Sequence, residues 1–146
     1  MKLSENDAAE MRLSSYLMHL PIEVQNLAQD LRSFIKEQTH PSMELAAPST
    51  QSVNIGYGFT RKAWDCYVAI IVYSKHINLS FPSGAFLDDS ENILVGTGRR
   101  IRHIRVDSIE EASQPEVLDL LQKARDYATS QLEQESRKTG TQLFVK

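Results

Sequence analysis

The fold is decided by residues 64–81, which read WDCYVAIIVYSKHINLSF. The first part, residues 64–74, is rich in β-branched and aromatic residues, which are typical of a central strand. After a predicted tight turn at Lys75-His76, apolar and polar residues alternate, as they do in a half-buried strand. Two strands joined by so short a turn pair antiparallel. The stretch therefore predicts a β-hairpin inside an antiparallel sheet.

Two further strands flank this hairpin in the sequence. Residues 53–57 alternate between apolar and other residues, and residues 99–106 form the fourth predicted strand. The apolar residues of that fourth strand fall on both faces, so we expect a bulge near Arg102-His103. The proline, serine and threonine residues within 41–50 predict a loop. Residues 93–95 form a short apolar run.

Helical periodicity appears on both sides of the predicted sheet. Residues 4–20 and 21–39 carry apolar residues at helical spacing, with Ser4 placed as an N-cap and Pro21 between the two helices. Ser113-Gln114-Pro115-Glu116 combines a capping box with an early proline and predicts the start of a long last helix. The predicted fold class is α+β, with helices packed on a single antiparallel sheet of about four to five strands, in the order α-α-β-β-β-β-α. We expect one domain over 1–138 and a short C-terminal tail over 139–146.

Composition limits the classes of protein that the chain can belong to. With 41% hydrophobic and 24% charged residues among 146, it has an ordinary globular composition. Its 16 Lys and Arg against 19 Asp and Glu argue against a wholly basic nucleic-acid binder. The single cysteine, Cys66, excludes an intramolecular disulfide and a CxxC motif. No apolar run reaches the ~18 residues of a membrane span, and no signal-peptide pattern opens the chain, so we expect a cytoplasmic protein with no membrane partner.

Several segments occur in an order and spacing that resemble a known family. They are YLMHLP at 16–21 with the helix ending LRSFI at 31–35, residues 64–81 with Gly84, GTGRRIRHIRV at 96–106, and Pro115. Together they resemble the YdhG-like family, a domain of unknown function, over residues 10–130. The resemblance implies an α+β fold with an antiparallel sheet. Because some relatives are described as frataxin-like iron chaperones, it also implies weak iron binding by surface carboxylates, for which Glu110 and Glu111 are candidates.

The segment GTGRRIR at 96–102 carries the most distinctive chemistry. Glycines allow backbone N–H groups to approach an anion, and arginines grip phosphate or carboxylate groups with two hydrogen bonds. Residues 96–106 hold four arginines and no acid, whereas residues 107–119 hold five acids and no lysine or arginine. The pattern matches neither a phosphate-binding P-loop nor a dinucleotide fingerprint. A strand-entry turn followed by a solvated basic strand at a sheet edge is the more common explanation of the same residues.

The leading hypothesis is a non-catalytic binding or accessory domain for a small anionic ligand or an acidic partner. The alternatives are an iron-binding chaperone and a small enzyme of unidentified substrate, although no catalytic residue or cofactor can be assigned. Nucleic acid ranks below these because the basic run is short and has an acidic flank. A homo-oligomer formed through a sheet edge is a further option. The candidate ligand-binding residues are Asn54, Tyr57, Trp64, Lys75, His76, Phe81, Gly96, Thr97, Gly98, Arg100, Arg102 and His103.

Overall fold

The computed structural model describes residues 3–139. It contains four α-helices: α1 (Glu5–Leu17), α2 (Ile22–Gln38), α3 (Ile109–Ala112) and α4 (Pro115–Thr139). It contains five strands: β1 (Met43–Pro48), β2 (Val53–Gly58), β3 (Val68–Val72), β4 (Ile77–Phe81) and β5 (Arg102–Val106). Short 3-10 turns lie at Ala63–Asp65 and Gly84–Phe86. The predicted tail lies outside the described residues, apart from Thr139, which ends α4.

The five strands form one sheet in the order β1-β2-β3-β4-β5, and every neighbouring pair is antiparallel. Each strand therefore pairs with the next strand along the chain, as the hairpin at residues 64–81 predicts for its own pair. The predicted class, α+β with helices on a single antiparallel sheet, is confirmed. The structure adds β1 and the four-residue helix α3 to the predicted order.

The apolar core lies between one face of the sheet and the helices. Along β3, the side chains of Val68, Ile70 and Val72 are buried while the two between them are half-buried, so this strand turns one face to the core. The same alternation runs through β4. These side chains form one cluster with buried residues from all four helices, among them Leu13, Leu17, Ala28, Leu31, Ile35, Ala112, Val117, Leu120, Leu121 and Ala124.

The opposite side of the sheet, which we call the open face, is formed by the alternate strand residues. Asn54, Ile71, Asn78 and Arg105 lie side by side across β2 to β5. The next row consists of Gly56, Ala69, Ser80 and His103. Neither Ala69 nor Ile71 belongs to the apolar cluster that holds the helices. Within residues 3–139, the helices therefore cover only one side of the sheet.

Three local predictions about the strands are wrong, each for a physical reason. Strand β1 lies in the segment predicted to be a loop, because pairing with β2 along six residues outweighs the weak pattern of its own sequence. It is an edge strand, where a terminal Pro48 is tolerated. The central strand starts at Val68, since Trp64 belongs to a 3-10 turn. No bulge is needed in β5, because Ile101 precedes the strand.

The predicted helix starts are partly right. Ser4 caps α1, since its hydroxyl oxygen accepts a hydrogen bond from the Asp7 N–H at 3.0 Å. Pro115 is the first residue of α4, as predicted. The Ser113 hydroxyl instead donates to the Glu110 carbonyl, so the predicted capping box does not form there. The cap forms on α3, where the Ser108 hydroxyl accepts from the Glu111 N–H. None of the helices within the described residues is both long and apolar enough to span a membrane.

Candidate functional site

The glycine-arginine loop between Val95 and β5 folds against the turn that follows β4. The Ala85 N–H donates to the Arg100 carbonyl at 2.9 Å, and the Val95 and His103 backbones exchange two hydrogen bonds. Gly84 makes this close approach feasible, because a Cβ added there would lie 2.6 Å from the Cβ of Arg102. The backbone contacts therefore hold the loop beside the 3-10 turn at Gly84–Phe86.

Arg100 forms the centre of this region, which we call the Arg100 corner and which consists of Ser83, Phe86, residues 96–101 and Tyr127. The Arg100 guanidinium donates to the Ser83 hydroxyl at 3.3 Å and lies 5.2 Å from the centroid of the Phe86 ring. The Phe86 ring stacks on Tyr127 of α4, with centroids 5.9 Å apart. An aromatic ring beneath a guanidinium attracts its charge and limits its orientations. These contacts restrict the orientation of the Arg100 guanidinium, although Arg100 is exposed to solvent.

The four arginines of this segment have different surroundings. Arg102 turns back onto its own loop, where its Nη1 donates to the carbonyls of Gly98 and Ile101. Arg105 pairs with Asp107 at 3.0 Å. Arg99 and Arg100 form no ion pair with any acid within residues 3–139. Arg102 therefore shapes the loop, and Arg99 and Arg100 carry positive charge that is available to an anion.

The loop backbone adds further donors to the corner. From Gly96 to Ile101, no backbone N–H donates a hydrogen bond to any described residue. Gly96 has a φ of 138°, a conformation that residues with a side chain rarely adopt. All six residues are exposed. Together, N–H groups and arginines of this kind provide the donors with which loops bind phosphate or carboxylate groups.

The other candidate residues are not gathered at the Arg100 corner. Tyr57 and Phe81 are fully buried on the core side of the sheet, and Trp64 is 78% exposed on a separate turn. Lys75 and His76 lie at the β3-β4 hairpin, at the opposite end of the sheet from Arg102, and the His76 ring stacks on Tyr73. Asn54 and His103 both lie on the open face, in different rows. The predicted set therefore separates into core, hairpin, open-face and corner residues.

A buried ionic network that the sequence interpretation missed lies between α1, α2 and the β1-β2 pair. Arg32 uses all five of its N–H donors: two toward Glu10, two toward Glu44 and one toward Gln29, at 2.7 to 3.0 Å. Its side chain is 6% exposed. Tyr57 donates to Glu44 at 2.5 Å. The only signal in the sequence was an arginine beside the apolar stripe of α2, which does not identify its partners.

The pKa values of this network follow from its contacts. The hydrogen bond from Arg32 lowers the pKa of Glu10 below its ordinary value of 4.5. Hydrogen bonds from the guanidinium to Glu10 and then to Glu44 raise the pKa of Arg32. Burial first, and then the negative charge of Glu44, raise the pKa of Tyr57, so the phenol stays neutral and remains a donor. With every guanidinium donor occupied, the network holds elements together and offers Arg32 no free donor for a ligand.

Two features bear on catalysis and on metal binding: the Cys66 thiol and the grouping of possible metal-ligating side chains. Burial first, and then Asp65, raise the pKa of the Cys66 thiol to about 11, which disfavours the nucleophilic thiolate. No group of three or more His, Cys, Asp or Glu side chains in residues 3–139 could hold a metal ion. Of the two iron candidates, Glu111 accepts a hydrogen bond from the Asp107 N–H at 2.7 Å at the start of α3.

An acidic cleft of about 260 Å³ lies between the loop after β4 and the start of α4. Part of its charge is already compensated, because Lys123 binds Asp119 at 2.6 Å and lies 3.6 Å from Asp88. The Asp89 carboxylate accepts hydrogen bonds from the N–H groups of Ile93 and Leu94. Through its contact with Asp88, Lys123 of α4 links the loop after β4 to this helix. Its lining residues are Asp88, Asp89, Ser90, Glu91, Pro115, Glu116, Asp119 and Leu120.

Comparison with known proteins adds no relative. The chain matches no protein-family model, no curated protein and no solved structure. The resemblance to the YdhG-like family stays a prediction.

Proposed function

We propose that this chain is a non-catalytic binding module that holds a small anionic molecule at the Arg100 corner. The observation that carries the proposal is the charge of Arg99 and Arg100, which have no acidic partner within the described residues. The ligand class is a molecule with a phosphate or carboxylate group. A cytoplasmic location is part of the proposal.

The geometry of the corner supports an anion rather than a neutral ligand. The Arg100 guanidinium and the Ser83 hydroxyl lie within 3.3 Å of each other, so one anionic oxygen could contact both. The N–H groups of Gly96–Ile101 supply neutral donors beside this pair. Arg102 donates to the Gly98 and Ile101 carbonyls and so restricts the conformations of the loop. Less conformational entropy is then lost when a ligand binds.

Titration calorimetry with inorganic phosphate and pyrophosphate tests the proposal. In Arg100→Gln, we expect the affinity for pyrophosphate to fall by about tenfold to a hundredfold, as loss of a hydrogen bond to a charged group predicts. Arg100→Lys keeps the charge but loses the planar fork, so its affinity should lie between those of Arg100→Gln and the wild type.

Arg12→Gln is the matched control, because Arg12 is an exposed arginine on α1, away from the corner. Its affinity for pyrophosphate should equal that of the wild type. The proposal fails if neither anion binds the wild-type protein, or if the Arg100 and Arg12 variants bind pyrophosphate equally well.

A further inference from the structure

Within residues 3–139, the strand positions of the open face carry no carboxylate side chain. Its strand positions hold Asn, Ser, Gly, Ala, Ile, Met and Leu together with His103 and Arg105, although the chain has 19 Asp and Glu residues. The Arg105 side chain is 61% exposed. A five-stranded face without an acid on its strands, in a chain of net charge −3, repels anions less than the net charge implies.

A second set of basic and aromatic residues borders the same face at β2 and β3. A Cβ placed on Gly56 would lie 2.6 Å from the Cys66 sulfur, and one on Gly58 would lie 3.0 Å from the Asp65 carbonyl oxygen. Because both glycines belong to the open face, residues 65–66, at the end of the loop between β2 and β3, lie over that face. The loop presents Trp64, 78% exposed, with the Lys62 Nζ 5.9 Å from the centroid of its ring.

Of the basic residues beside this surface, Lys62 forms no ion pair with any acid within residues 3–139. Arg105 is paired with Asp107, but both side chains are more than half exposed, so a phosphate can take the place of that carboxylate. Asp65 accepts a hydrogen bond from the Thr60 hydroxyl at 2.8 Å, and Asp107 pairs with Arg105 at 3.0 Å. The acidic segment that follows β5 turns away into α3, whose Ala112 is buried in the core with the other helices. Apart from Asp107, the acidic flank that the sequence places beside the arginines therefore lies in the helices on the other side of the sheet.

We propose that the open face binds single-stranded nucleic acid. Basic residues lie at its two borders, Lys62 on the loop and Arg105 on β5, while the amides and hydroxyl of Asn54, Asn78 and Ser80 lie between them. Such an arrangement suits a chain with phosphates at the borders and polar bases across the middle, and Trp64 offers a surface on which a base stacks. An acidic protein surface fits less well, because its carboxylates would lie against the neutral side chains of Asn54, Asn78 and Ser80 in the middle of the face. This inference is independent of the Arg100 corner.

Fluorescence anisotropy with fluorescein-labelled oligouridylate and oligothymidylate tests the inference. We expect wild-type binding that weakens as salt rises, because phosphate contacts release counterions. Trp64→Ala should lower the affinity by about fivefold to a hundredfold, the range for loss of one stacked base. Arg105→Ala and Lys62→Ala should each lower the magnitude of the slope of log affinity against log salt by about one, which is the contribution of one phosphate contact. All three residues are exposed, so we expect the variants to keep the wild-type melting temperature.

Arg12→Ala, on the helix side, is the control and should bind the oligonucleotides like the wild type. Oligonucleotide binding that is absent, or equal in Trp64→Ala and Arg12→Ala, would overturn the inference. Equal competition by polyglutamate would overturn it in favour of an acidic protein partner. Pyrophosphate binding that depends on Arg100 is measured separately, so failure here leaves the proposed anion site standing.

Discussion

At the scale of single residues, Arg32 shows how one side chain can join distant parts of the chain. Its donors reach Glu10 on α1 and Glu44 on β1, which are 22 and 12 residues away in sequence. A guanidinium buried to this degree is tolerated because each N–H has an acceptor. Tyr57 completes the set from β2 by donating to Glu44.

Replacing Arg32 with alanine should therefore destabilise the fold. The change leaves Glu44, which is 20% exposed, without its main counter-charge, and we expect the free energy of unfolding to fall by about 3 kcal/mol. Urea denaturation measures this change. Arg12→Ala, at an exposed site, should stay within about 0.5 kcal/mol of the wild type. A loss for Arg32→Ala as small as that of the control would show that the network adds nothing to stability.

At the scale of elements, the loop between β2 and β3 packs on the open face only because two strand residues lack side chains. Gly56 and Gly58 lie under Cys66 and Asp65, and both glycines are buried. Glycine weakens a strand interior in general, so its presence at both positions is explained by the close approach of another backbone. The loop then holds Trp64 and Lys62 on the outside.

Gly56→Ala should consequently lower stability, because the new methyl group would lie 2.6 Å from the Cys66 sulfur. Overpacking of this kind costs about 1–3 kcal/mol. Cys66→Ala removes the sulfur. Gly56→Ala should therefore lower the stability of Cys66→Ala by less than it lowers that of the wild type. Thermal unfolding of the four proteins gives the coupling energy of this double-mutant cycle. Strictly additive effects would mean that the contact between residue 56 and the sulfur is not the cause.

At the scale of the whole molecule, charge is distributed unequally between the two sides of the sheet. The helix side carries the Arg32 network and the acidic cleft, whereas the open face has no carboxylate on its strands. The acids that give the chain its net charge of −3 therefore lie off the strands of the open face. The Arg100 corner lies at one end of the sheet, beside the start of β5.

The stability of the fold should depend on pH through the ion pair between Glu10 and Arg32 on the helix side. The pKa of Glu10 is lowered in the folded state by its hydrogen bond to Arg32, so its contribution is present above 4.5 and is lost as pH falls through the folded-state value. The difference in melting temperature between the wild type and Glu10→Gln should shrink below pH 4.5. Glu37→Gln, exposed and outside the network, serves as the control. A difference that stays constant with pH would contradict this account.

The sequence by itself determined the α+β class, the β3-β4 hairpin, the cap at Ser4, the start of α4 at Pro115, and the basic character of residues 96–106. These features depend on neighbours in sequence, through alternation, capping geometry and local charge. Tertiary structure alone decided the strand β1, the partners of Arg32, and which arginines are already engaged. Each of these depends on contacts between residues that are far apart in sequence or on the folding of a loop onto itself. No local pattern specifies such contacts, because their free energy appears only when the sheet brings the partners together.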